Sequence, residues 1–115
     1  MTDEEIRLNQ VGAEIMQYII GNADKEYPLW CKRTGEIVIE QYKWSPATDL
    51  NHNAMVMDTF DSWEVYKMGG YGRQKRIYTC KIWETITPII GQADTEALAR
   101  ARAYEKVWKV EKKEK

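Results

Sequence analysis

Apolar side chains recur along the chain in two periods. Val11, Ile15 and Ile19 fall at i, i+4 and i+8 with Met16 and Ile20 beside them, one stripe that predicts a helix from about Val11 to Ile20. Thr2 followed by Glu5 has the spacing of a capping box, so a short first turn is expected from Asp3, with Ile6 and Leu8 as its apolar residues. Gly21 and Asn22 both accept the left-handed conformation and read as the stop. After a polar loop to Pro28 the period shortens. Leu29–Cys31 and the β-branched run 36–42, separated by Arg33-Thr34-Gly35, predict a hairpin.

Pro46 pushes Ser45 toward an extended backbone, and Thr48 or Asp49 is placed to accept the first free N–H groups of a following helix. That helix puts Leu50, Asn53, Ala54, Met57 and Phe60 on one side and is expected over 49–61. Trp63 continues the helical phase, yet Trp63–Tyr66 also alternates, and a strand over 62–67 is favoured. Gly69-Gly70-Tyr71-Gly72 then turns a second hairpin whose return strand runs from Arg76 to about Thr87, closed by Pro88 and Gly91. Asp94 or Thr95 caps a last helix to about Val110, with Ala97, Ala101, Tyr104 and Trp108 on one face. The charged segment 109–115 is expected to fray. The order of elements predicts one α+β domain over 1–115. Its expected form is a three-layer α/β/α sandwich, a small antiparallel sheet of about four strands with helices on both faces.

Composition narrows the function classes. Seventeen basic residues against eighteen acidic ones argue against broad capture of DNA or RNA, which needs many uncompensated cations. The polar, acidic start is unlike a signal peptide, and no stretch has the roughly 18 apolar residues that span a bilayer. With Cys31 and Cys80 read as free, buried, reduced thiols, the expected location is a cytoplasm. Five Trp and seven Tyr beside a single Phe fill a core and also supply what protein interfaces are rich in, so a homo-oligomer is expected.

Candidate chemistry is sparse. His52 is the single histidine and is read as solvent-facing or capping, so no histidine-based metal cluster is expected, and no cofactor. Ser45 and Ser62 lack a nucleophile-elbow context, and Cys31 has no evident cation to hold a thiolate. No catalytic residue is assigned, and the chain is read as not an enzyme. Two places remain as ligand sites. Trp44, Thr48 and Asp49 stand at a helix start; the plain reading is capping, the functional one a small-ligand pocket. Tyr71, Arg73, Lys75 and Arg76 follow a flexible turn. The plain reading is a solvated hairpin tip. The functional one is a clamp in which cations hold phosphates and Tyr71 stacks on a base.

Three collinear segments resemble the phage ABA-sandwich domain family, small proteins of bacteriophages and prophages. They are Gly12 with Glu14-Ile15 and Ile19-Ile20-Gly21; Trp44-Ser45-Pro46-Ala47-Thr48-Asp49-Leu50; and Ala93-Asp94-Thr95 ahead of the alanine-rich helix Glu96–Trp108. The chain departs from that pattern in Ala47, in Ala54, and in a final helix without the family's proline and cysteine. The resemblance implies a layered fold and a phage or prophage source, and supplies no catalytic residue. The expected function is a non-enzymatic accessory protein that binds a host partner and modulates host defence. The alternatives are a sponge for an anionic nucleotide and, third, an enzyme of unknown reaction.

Overall fold

The computed structural model describes residues 1–21, 26–69, 76–84 and 86–113. Helix α1 spans Asp3–Ile15 as one element, opened by the expected box: the Glu5 N–H donates to Thr2 Oγ1 at 3.1 Å and the Thr2 N–H to Glu5 Oε1 at 2.9 Å. It stops five residues before the predicted end. Gln17 takes φ 60°, the Tyr18 N–H donates to the Ala13 carbonyl at 2.9 Å, and the Gln17 N–H donates to that of Glu14 at 3.0 Å. These two bonds make a Schellman cap, formed here without glycine. Ile19 and Ile20 fit the helical stripe, but the cap releases them into strand β1 (Ile19–Gly21). Gly21 serves β1 by its lack of a side chain, since a Cβ there would lie 2.6 Å from Cys31 Sγ.

Strand β2 (Leu29–Cys31) pairs antiparallel with β1 and with β3 (Ile37–Glu40), in registers Ile20↔Trp30 and Trp30↔Ile39. The hairpin at 29–42 is therefore present, shortened by a 3-10 turn at Gln41–Lys43. Helix α2 covers Leu50–Met57 with Asp49 as its cap. It ends short of residue 61 because Thr59 Oγ1 takes the Val56 carbonyl at 2.7 Å and the chain turns away at Phe60. Strand β4 (Trp63–Met68) follows, which resolves the ambiguity at 62–67 in favour of a strand.

β4 pairs with β5 (Ile77–Ile82), and β5 with β6 (Ile89–Ala93), giving a second three-stranded antiparallel sheet. β6 went unpredicted: Pro88 and Gly91 read as terminators, whereas Gly91 sits mid-strand. A Cβ on Gly91 would lie 2.3 Å from the Ala103 nitrogen and 2.5 Å from the Ala99 carbonyl oxygen. Helix α3 (Glu96–Lys113) thus rests backbone to backbone on β6, and it continues through most of the segment expected to fray.

The described residues form two three-stranded sheets in place of one sheet of about four strands. Tyr104, Leu8, Met57, Ile82, Val56 and Val107 are among the large buried side chains, gathered where α1, α2 and α3 meet β5. α3 covers the β4–β5–β6 sheet on the face of Cys80, Ile82, Gly91 and Ala93. On the opposite face Glu64, Tyr66, Met68, Ile77, Ile90 and Gln92 are exposed, so the expected helix on each face is met there on one side only.

Gly91→Ala forces helix and strand apart and should cost about 3 kcal/mol, the upper end of overpacking. Gln17→Gly relieves a left-handed non-glycine residue and should gain about 1 kcal/mol. Urea unfolding of the two variants beside the parent checks both signs.

Candidate functional site

The corner Trp44–Asp49 is bound up with its own surroundings. Trp44 is 2% exposed; its indole N–H donates to the Asn9 carbonyl at 2.9 Å, and His52 stacks on it with centroids 5.3 Å apart. His52 Nδ1 accepts the Ser45 N–H at 3.1 Å, so of the two roles expected, solvent-facing or capping, the ring takes up a backbone N–H and braces the corner. Ser45 and Thr48 hydroxyls bond each other. Asp49 Oδ1 accepts the Asn51 and His52 N–H groups, which settles the choice of cap between Thr48 and Asp49. Asn53, fully buried, donates to the Pro46 and Ala97 carbonyls at 3.0 and 3.1 Å and ties the corner to α3.

Of the sequence-predicted ligand residues that are described, Trp44, Thr48 and Asp49 share no one groove. Trp44 borders a groove of about 340 Å³ with Met1, Ile6, Trp30 and Tyr42. Thr48 borders a separate hollow of about 430 Å³ with Thr2, Thr95 and Arg102, and Asp49 borders neither. Tyr71, Arg73 and Lys75 lie outside the described residues; Arg76 is exposed just before β5.

A cavity of about 520 Å³ lies where the C-terminal ends of α1 and α2 meet the last turns of α3. Glu14, Glu84 and Glu111 line it against Arg33 and Lys112, with Phe60 and Trp108 as aromatic walls. Lys112 is held over Trp108 at 4.1 Å and reaches Glu14 at 4.0 Å. Burial, then the neighbouring Glu111 and Asp61, push the Glu84 carboxyl above its usual range. Carboxylates and the negative ends of helices repel an anion, so this cavity does not suit a nucleotide. Among the described residues no three His, Cys, Asp or Glu gather closely enough to hold a metal ion. Cys80 is fully buried beside Arg100 and Glu96, and burial pushes its thiol up to about 11, away from nucleophilic use.

The remaining feature is the β4–β5–β6 sheet itself. The Ser62 carbonyl accepts the Trp83 N–H at 3.0 Å, so alternate residues Glu64, Tyr66 and Met68 turn their peptide groups toward β5. Trp63, Val65 and Lys67 therefore turn theirs to the free edge. At the other edge the Ile90 carbonyl accepts Lys106 Nζ at 2.6 Å and that of Gln92 accepts an Arg102 guanidinium N–H at 2.8 Å. One edge is plugged by α3; the other carries no such cover among the described residues. The outer face bears Tyr66, Met68, Ile77 and Ile90, with Lys81 Nζ 5.4 Å from the Tyr66 ring. Sequence reading missed this face because β6 was missing from it.

Compared with protein-family models, with curated proteins and with solved structures, the chain matches none.

Asp49→Ala removes a cap and should cost about 1 kcal/mol. Asn53→Ala orphans buried carbonyls and should cost about 3 kcal/mol, read by urea unfolding. Glu84 is a carboxyl with a raised folded-state pKa, so its ionisation weakens the fold above that pKa and the loss is recovered as pH falls through it. Glu84→Gln should therefore melt higher than the parent at neutral pH, with the gap closing on acidification.

Proposed function

We propose that the protein is a non-enzymatic binding protein that takes a protein partner on the outer face of the β4–β5–β6 sheet. The observation that carries this reading is the exposed apolar cluster of Tyr66, Met68 and Ile77 on β4 and β5, with Met68 59% and Ile77 47% exposed and Ile90 on β6 set apart from them by Thr79, Lys81 and Gln92. Tyrosine and methionine are enriched in protein interfaces. The charges on the face are of both signs, Glu64 lying directly across from Lys81, so the face suits an apolar strip on another protein better than a polyanion. A partner laid on it supplies the layer that completes the three-layer arrangement expected from the sequence.

The setting is the one the family resemblance implies: a phage or prophage protein in the host cytoplasm, engaging a host protein and so modulating host defence. The free, buried thiols of Cys31 and Cys80 suit a reducing compartment. No helix among the described residues is long and apolar enough to cross a membrane.

Met68→Glu with Ile77→Glu changes only exposed side chains, so the variant should keep the parent's unfolding midpoint. The parent should retain a host protein from lysate and the double variant should lose it. Equal retention by both removes the outer face from the reading.

A further inference from the structure

We propose that two copies of this chain join edge to edge along β4, about a two-fold axis through Val65. The partner is a second copy, and the direction of the peptide groups specifies the register. A two-fold axis perpendicular to a sheet pairs like strands antiparallel and keeps each side chain on its own face, so directly opposed residues must share a face. On β4 the outward peptide groups belong to Trp63, Val65 and Lys67. The register that satisfies all three sets Val65 opposite the partner's Val65 and Trp63 opposite the partner's Lys67.

Side chains agree with that register on both faces. On the face toward α3, Trp63 already carries Arg100 at 4.7 Å from its ring centroid, and the pairing brings a second cation, the partner's Lys67, beside it. On the outer face Glu64 lies opposite the partner's Tyr66. The ring of Tyr66 has the Lys81 ammonium 5.4 Å from its centroid, so each Glu64 meets an opposite charge across the joint.

The two edges of the sheet explain why assembly stops at two. Joining β4 to β4 gives a six-stranded sheet whose outer strands are both β6, and in each copy Lys106 and Arg102 occupy the β6 carbonyls. Among the described residues of this sheet, growth past the dimer along β6 is opposed by those two side chains. The joined sheet also brings the outer faces of the two copies into one surface. The inference stands without the host partner: edge pairing is read by mass and register, partner capture by the outer-face variants.

Light scattering at about 100 µM should report the mass of two chains, a concentration suited to a micromolar edge contact. Val65→Pro is the decisive variant. The Val65 N–H points away from β5, so proline there costs the chain's own ladder nothing, as on edge strands generally. It should leave the circular dichroism spectrum unchanged and weaken dimerisation at least about tenfold. Val65→Cys, in a Cys80→Ala background because Cys80 lies directly across from Val65 in the chain's own sheet and would take the disulfide within one chain, tests register without relying on the proline variant's fold. Across a hydrogen-bonded antiparallel pair the Cα atoms stand about 5.5 Å apart, within disulfide reach. Mild oxidation should therefore cross-link Val65→Cys readily and Tyr66→Cys poorly. A parent that stays monomeric, a proline variant that dimerises as well as the parent, or faster cross-linking at position 66 overturns the proposal.

Discussion

Helix α3 touches strand β6 with no side chain between them, and this contact sets the position of everything else. At Gly91 the helix backbone comes so near that even a methyl group would lie 2.3 Å from the Ala103 nitrogen. The buried alanines 99 and 103 complete the approach. Held this close, α3 lets Lys106 and Arg102 bend over the edge of β6 and occupy its carbonyls. The same contact that builds the core therefore decides which edge of the sheet is sealed and which stays open.

The other flank of α3 receives α1. The buried Tyr104 hydroxyl donates to the Leu8 carbonyl at 2.6 Å, and burial raises its pKa far enough that it stays a donor throughout the physiological range. Two forked pairs bracket this bond: Arg102 with Glu4, and Arg7 with Glu105. Arg7 is exposed and Glu4 partly so, and screening by water leaves these pairs little energy. Tyr104 supplies the energy, and the pairs fix how α1 lies along α3. The Arg102 hydrogen bond lowers the Glu4 carboxyl below its usual range. Stability from that pair is present above the ordinary carboxylate pKa and is lost as pH falls through the lowered one.

Much of this was legible in the sequence. The capping box at Thr2, the hairpin at 29–42, the strand after Phe60 and the buried face of Ala97, Ala101 and Tyr104 all follow from period and turn chemistry. What escaped was decided by tertiary contact. Ile19 and Ile20 continue a helical stripe, and only the cap at Gln17 turns them into a strand. Gly91 looks like a terminator because nothing local says a helix will lie against it. With β6 unread, the free edge and the outer face had no strands to belong to. Of the ligand residues named from sequence, Trp44, Thr48 and Asp49 are spent on bracing and capping. Their residue types were informative about local bonding and silent about what the surface is for.

A helix that seals one edge of a three-stranded sheet and covers one face leaves the other edge and the other face. Strands at an edge are a standing hazard, and proteins commonly blunt them with charge, proline or cover. Here β6 has cover, while β4 presents Trp63, Val65 and Lys67 with their peptide groups outward and no proline among them. Among the described residues β4 carries no cover like that of β6, and its edge charge, Lys67, is the one that the proposed pairing sets beside the partner's Trp63. The apolar cluster lies on the face continuous with that edge, its Tyr66 and Met68 alternating along β4 with the outward residues. Both surfaces thus meet on one strand, and a partner that engages either is brought against the other.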